Sequence, residues 1–277
     1  MKYKLICTDM DGTLLNSVKE VSKGNLEAIK KAHDKGVKIA ICTGRIFTSA
    51  KYYGELIGIK APIIASNGAY IREKDENNVI YKCILEKDNC FEILEIFEKY
   101  NLIPHFYTED SIYAGETSYV FEFYSTLNKT VPDDFQIKIK KVDDWEEIFI
   151  ENEFDILKAV AFDEDVEKIK KVKEEIRALG KYEVVSSLHN NFEVMNKNVS
   201  KGRAVEMLAS YYNLSKDEVI TIGDNENDLS MIEYAGLGVA MGNGEKIVKD
   251  KAEYITSTND EDGVKEVIEK FILNENT

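Results

Sequence analysis

The 277-residue chain has little of several things, and each shortage closes a possibility. No apolar run reaches the roughly 18 residues that a membrane-spanning helix needs. The N-terminal "MKYKLICTDM" lacks the longer apolar segment and small-residue cleavage site of a secretion signal. Prolines number three, and neither an internal repeat nor a low-complexity tract occurs. The four cysteines, Cys7, Cys42, Cys83 and Cys90, contain no CxxC pair. Their even number would permit two disulfides, but two of them sit in apolar runs that read as buried strands. Reduced core thiols and a cytoplasmic location are the expectation. Positive charge is also short: 36 Lys and Arg stand against 51 Asp and Glu, a net charge of −15. That balance disfavours nucleic acid or an anionic membrane as a partner, though a locally positive site can still take a small anion. The lysine-rich stretches "IKIKK" and "EKIKKVKEE" therefore read as solvated faces. No obligate protein partner is evident.

What the chain does have is alternation. "YKLIC", "VKIAIC" and "APIIAS" are short β-rich apolar runs, and "KGNLEAIKKAHDKG" between the first two has helical spacing ended by Gly36. This order predicts βαβ units and a parallel sheet. "REKDENN" reads as a polar turn between "AYI" and "VIYKCIL". From 83 to 189 the texture changes to aromatic strands ("IPHFYT", "SIYAG", "ILKAVAF", "YEVVSS") and long charged helices. After 190 the α/β alternation resumes with a helix from Lys201, a strand "EVITIG", a helix "DLSMIEYAG", a strand "GVAM" and a last helix "VKEVIEKFIL". The reading is an α/β core, residues 1–82 and 190–277, interrupted by an inserted α/β unit at 83–189.

Ligands of open parallel sheets bind beyond the carboxyl ends of the strands. There the sequence places Asp9 and Asp11 after "YKLIC", Thr43-Gly44-Arg45 after "VKIAIC", and Asp224 after "EVITIG". Each alone has a plain structural explanation as a loop carboxylate or a helix cap; together they argue for a site. Two carboxylates as close as Asp9 and Asp11 repel, so the arrangement calls for something positive between them.

The chain resembles the haloacid dehalogenase (HAD) superfamily of aspartate-nucleophile phosphotransferases, and within it the Cof-type phosphatases with an α/β (type IIB) cap. Four motifs carry the resemblance in order: "DMDGT" at 9–13, Thr43 in "CTGR", Lys201 in "VSKG", and "GDNENDLSM" at 223–231. The approach "EVMNKNVSKG" is similar as well. The resemblance implies a Rossmann-like parallel-sheet core with an inserted cap, and a Mg²⁺-dependent phosphatase of small phosphorylated metabolites, sugar phosphates foremost. It implies that Asp9 attacks phosphorus to form an aspartyl-phosphate. Asp11 would serve as general acid and then base, Gly12 would let the backbone turn beside the phosphate, and Thr43, Gly44, Arg45 and Asn227 would contact that phosphate. Lys201 would pair with Asp9 and the phosphoryl group, with Asp228 behind it to orient Lys201 or a metal-bound water. Asp9, Asp224 and the main-chain carbonyl of Asp11 would hold Mg²⁺. Gly44 and Arg45 are expected to open a helix whose free N–H groups suit an anion. The structural alternatives remain that Thr43 is an N-cap and that Asn227 or Asp228 caps the following helix. In the cap, His105, Tyr107 and Tyr113 are candidates for the pocket wall or for packing, and His189, Glu193 and Asn196 are candidates to face the cleft. A phosphomutase-type transferase and a phosphometabolite-binding regulator without turnover are the competing functions. The intact set Asp9, Asp11, Thr43, Lys201 and Asp224 speaks against the second, since binding alone needs no nucleophile with its own acid.

Overall fold

The apolar runs at the start and end of the chain become one sheet. In the computed structural model, which describes residues 2–115 and 119–274, the elements run as follows. The first part holds β1 (Leu5–Thr8), α1 (Lys23–Asp34), β2 (Lys38–Cys42), α2 (Phe47–Ile57), β3 (Pro62–Ala65), β4 (Tyr70–Glu73) and β5 (Val79–Lys82). The middle holds α3 (Lys87–Lys99), β6 (His105–Tyr107), β7 (Ser111–Ala114), α4 (Tyr119–Asn128), β8 (Lys138–Lys141), α5 (Trp145–Glu151), β9 (Lys158–Phe162), α6 (Val166–Ala178), β10 (Tyr182–Val185) and β11 (Asn191–Asn196). The last part holds α7 (Lys201–Tyr211), β12 (Val219–Gly223), α8 (Leu229–Tyr234), β13 (Leu237–Ala240), α9 (Lys246–Lys249), β14 (Tyr254–Ile255) and α10 (Gly263–Ile268).

The eight-stranded sheet has the order β14-β13-β12-β1-β2-β3-β4-β5. It is parallel from β14 to β3, and the polar turn at 74–78 closes an antiparallel hairpin, β4 and β5, at its edge. Because side chains alternate across a strand, Ile6, Ile39 and Ile41 face α1, α2 and α10 while Leu5, Cys7, Ala40 and Cys42 face α7 and α8. Both faces are covered, which is why these strands read as continuous apolar runs. The chain runs outward from β1 through β2 to β3, then returns at β12 on the other side of β1 and runs outward to β14. The switch point therefore lies at the carboxyl ends of β1, β2 and β12.

The six-stranded sheet, β10-β11-β9-β6-β7-β8, is antiparallel except for β7 and β8. α3, α5 and α6 cover one face with Cys90, Ile93, Phe97, Phe149, Val172 and Ile176. On the opposite face Tyr107, Val160 and Phe162 meet Val120 and Tyr124 of α4, and Ile46 from the loop after β2 joins them. The α/β core with an inserted second α/β unit is thus the observed architecture.

Two expectations are corrected. Residues 191–196 were assigned to the core, but β11 is hydrogen-bonded between β9 and β10 of the six-stranded sheet, so that sheet extends to Asn196 rather than stopping at 189. Gly44 and Arg45 do not open a helix: α2 begins at Phe47 with Ile46 before it, since Thr43 and Arg45 are committed to a turn of their own. The lysines of "IKIKK" face outward as expected, on the edge strand β8, while Ile139 packs inward. Cys7, Cys42 and Cys90 are buried thiols and Cys83 is half-buried, all four unpaired. Among the described residues no helix is long and apolar enough to cross a membrane.

Candidate active site

Asp9 and Asp11 follow β1, Thr43 follows β2 and Asp224 follows β12, all at one edge of the sheet. The Asp9 amide donates to the Ile222 carbonyl (2.8 Å), fixing the turn after β1 against the end of β12. Gly12 stands at φ +84°, and a Cβ there would come within 2.5 Å of Asp224 Oδ2, so this turn excludes any side chain. Thr13 donates to Asp224 Oδ1 at 2.8 Å.

Lys201 is the first residue of α7, whose N-cap Ser200 accepts from the Arg203 amide. A cation is unfavourable at a helix N-terminus, and this one is only 1 % exposed. It is held by two carboxylates: Nζ donates to Asp9 Oδ1 and to Asp228 Oδ1, both at 2.6 Å. Burial acts to discharge Lys201, but Asp228 and Asp9 outweigh it and hold the ammonium well above its ordinary range. Burial pushes the Asp9 carboxyl up, Lys201 pulls it back, and Asp228 and Asp224 push it up again. Asp224 is raised to about 7 by burial and by the neighbouring Asp228 charge.

Carboxylate oxygens of Asp9, Asp224 and Asp228 lie within 4.8 Å of one another, a group able to hold a metal ion. Asp228 is already spent: Oδ1 accepts from Lys201, and Oδ2 accepts from the amides of Asp224 (2.8 Å) and Asn225 (3.0 Å). Asp9 engages Lys201 through Oδ1, and Asp224 engages Thr13 through Oδ1. Each therefore keeps a second oxygen for a cation. The free carboxylate oxygens of Asp9 and Asp224 are hard donors that suit Mg²⁺.

The Asp11 carboxylate stands outside this cluster. Arg45 grips it with two bonds, Nε to Oδ2 and Nη2 to Oδ1, both 2.7 Å, and Lys19 adds a third at 3.0 Å. Burial alone would raise Asp11, but Arg45 and then Lys19 reverse it and hold it at about 2. Arg45, expected to meet a phosphate, is committed to Asp11 and stacks over the Tyr53 ring at 5.0 Å. Thr43 is buried beside the cavity and accepts from the Arg45 amide (3.1 Å); it does not cap α2. Asn227 donates to Asn67 Oδ1 at 3.0 Å.

Above these groups lies a cavity of about 360 Å³. Its floor includes Asp9, Asp11, Thr43, Gly44, Arg45 and Asn227, and its roof comes from the six-stranded sheet and α4. Of the cap candidates, Tyr107 and Glu193 line it. His105 instead lies beside Val160 O with its ring edge-on to Phe162, and Tyr113 points to the opposite face, where it bonds Asn152. His189 is exposed, and Asn196 donates to the Ile84 carbonyl. Ser187, Leu188 and Asn191 occupy the cleft position expected of His189. Sequence reasoning missed Lys158, Phe162, Tyr124 and Asn67. Alternation held the signal for two of these: in "LKAVAF" Lys158, Val160 and Phe162 share one strand face, as do Asn191 and Glu193 in "NFEVM".

The family profile of haloacid dehalogenase-like hydrolases matches residues 6–268. Two Bacillus subtilis relatives are 33 % and 34 % identical over 97 % and 98 % of this chain and 98 % and 96 % of their own lengths. They are the 5-amino-6-(5-phospho-D-ribitylamino)uracil phosphatases YwtE and YcsE. A solved structure, the HAD subclass IIB sugar phosphatase BT4131, superposes with a TM-score of 0.78 at 25 % identity, covering 97 % of this chain and 98 % of that one. The chain belongs to the haloacid dehalogenase-like hydrolase family, as a Cof-type member. It is a phosphatase.

Proposed function

We propose that this protein hydrolyses small phosphorylated metabolites, sugar phosphates or related phosphomonoesters, in a Mg²⁺-dependent reaction through an aspartyl-phosphate on Asp9. The observation that carries the reading is Lys201 bridging Asp9 and Asp228 at 2.6 Å, with Asp224 in the same carboxylate cluster and Asp9 itself on the cavity floor. Asp9 and Asp224, with the Asp11 main-chain carbonyl, would hold the cation, which when bound neutralises charge between carboxylate and phosphate. An Asp9 oxygen forms a bond to phosphorus as the bond to the leaving oxygen breaks, and Asp11 gives that oxygen its proton. Water then attacks phosphorus, Asp11 takes the proton back, and the Asp9–phosphorus bond breaks. The Lys201 ammonium, the Thr43 hydroxyl and the Asn227 amide steady the phosphoryl oxygens. Arg45 and Lys19 hold the Asp11 carboxyl low, so it rests as a carboxylate and has to gain a proton to serve as the acid.

Both relatives named for a phosphoribityl substrate and the sugar phosphatase act on phosphorylated polyhydroxy compounds, and the cavity roof suits such a leaving group. It sets the aromatic rings of Tyr107, Tyr124 and Phe162 beside polar Ser187 and Asn191. The unpaired thiols fit a reducing, cytoplasmic compartment. The test is phosphate release from a panel of sugar phosphates, nucleotides and an aryl phosphate, with and without Mg²⁺, for the wild type and Asp9→Asn. Mg²⁺-dependent release that vanishes in the variant is expected; release indifferent to Mg²⁺ or retained by Asp9→Asn would refute the mechanism.

A further inference from the structure

The roof of the cavity contains an ion pair that the reaction above does not use. Lys158 opens β9 and Glu193 lies in the middle of β11, adjacent strands of the six-stranded sheet, and the two are paired while each is only 3 % exposed. Lys158 Nζ also donates to the Gly44 carbonyl at 2.7 Å and sits over the Tyr107 ring. Glu193 accepts from Asn67 Nδ2 through Oε2 (2.9 Å) and from the Ser187 hydroxyl through Oε1 (2.7 Å).

Both arms end on loops that carry the phosphate site. The Gly44 carbonyl lies between Thr43 and Arg45, and a Cβ on Gly44 would stand 3.1 Å from Asn67 Oδ1 and 3.5 Å from Glu193 Oε1. Asn67 follows β3 in a left-handed conformation (φ +54°), and its amide donates to the Thr43 carbonyl at 3.0 Å. Its Oδ1 receives the amide of Asn227, next to Asp228. One carboxylate thus reaches the loop after β2 through Lys158, and the loops after β3 and β12 through Asn67.

A buried ion pair is a poor device for stability, since apolar residues of the same volume often do as well or better. Both oxygens of Glu193 are already engaged by protein groups, although the pair lines the cavity. We propose that Glu193 is a positioning residue: through Lys158 and Asn67 it fixes Thr43, Gly44 and Asn227, so that the inserted domain sets the geometry of the phosphate site besides covering it. This rests on the phosphatase reading for its activity readout.

The experiment compares wild type with Glu193→Ala, Glu193→Gln and the apolar double variant Lys158→Met/Glu193→Leu. Acetyl phosphate is the substrate, chosen because its leaving group is too small to need the roof. Melting temperature and calorimetric affinity for inorganic phosphate in Mg²⁺ are measured alongside. Glu193→Ala should lose about 100-fold in kcat/KM, the scale of a small misplacement of reacting groups, and bind phosphate more weakly. Glu193→Gln, which keeps its acceptor for Asn67, should recover most of that loss. The double variant should melt no lower than wild type and yet stay slow. A double variant that recovers both stability and turnover would make the pair merely structural and overturn the proposal, as would a folded Glu193→Ala with wild-type kcat/KM. If Glu193→Ala does not fold, the double variant decides. If the wild type turns over no phosphomonoester, the functional reading fails, and phosphate affinity still decides: unchanged affinity in the double variant, or no phosphate binding by wild type, refutes the positioning role.

Discussion

In the eight-stranded sheet helices cover both faces, so strand interiors are apolar and chemistry is confined to the carboxyl ends, where Asp9, Thr43 and Asp224 emerge. In the six-stranded sheet helices α3, α5 and α6 cover one face, and the other roofs the cavity with side chains from strand interiors. β9 shows the contrast residue by residue: Ala159 and Ala161 go to the packed face, while Lys158, Val160 and Phe162 go to the cavity. A sheet covered on both sides concentrates function at an edge, where a short motif encodes it. A sheet covered on one side spreads function over alternate positions of several strands, where no motif records it.

The sharpest way to break this comparison is at the edge. Asp9→Asn should remove turnover altogether while the melting temperature stays near or above that of wild type, because a buried carboxylate with two acidic neighbours is relieved. Assays of phosphate release with a thermal melt check both halves; a residual rate near wild type would detach the edge from the chemistry. Chelating divalent metal should stop activity to the same extent, and adding Mg²⁺ should restore it. Asp11→Asn should cost two to four orders of magnitude in kcat, the usual range for an acid–base group.

On the roof the effects should be smaller and selective. Phe162→Ala should raise KM for bulky phosphomonoesters about 10-fold, in line with the 1–3 kcal/mol that a modest apolar contact contributes to discrimination. Acetyl phosphate should be unaffected, and an equal loss with both substrates would move Phe162 from selectivity to structure. A last effect, on stability rather than turnover, concerns His105, which burial lowers from its ordinary 6.5 to about 4. The unfolded chain therefore takes up the proton first as pH falls. The stabilisation from the neutral ring is whole above pH 6.5 and is lost as pH drops towards 4, at no more than about 1.4 kcal/mol per pH unit. Denaturant midpoints from pH 7 to 4 should fall less steeply in His105→Phe than in wild type; parallel curves would refute it.

How much of this was legible in the sequence follows the same division. Periodicity and strand-end residues were enough for the α/β core and for placing Asp9, Asp11, Thr43 and Asp224 at one edge; Lys201 joined them only through the family resemblance. The second unit was legible as an insertion, but its far boundary was missed. β11 reads as a return to the core because it is buried on both faces and runs straight on to the Lys201 motif, and only its pairing with β9 and β10 assigns it. Arg45 was legible as a site residue but not as the partner of Asp11, since a long side chain reaches several groups and sequence does not rank them.

By itself the sequence determined which residues stand at the site, because Asp9, Asp11, Thr43 and Asp224 directly follow the short apolar runs that become β1, β2 and β12, and Lys201 opens a helix. Tertiary structure alone decided how they are held. Lys201 and Asp9 are 192 residues apart yet meet at 2.6 Å, and Lys158, Glu193, Asn67 and Gly44 come together from four elements. Such contacts arise from how two sheets fold against each other; their spacing along the chain carries no period that could announce them.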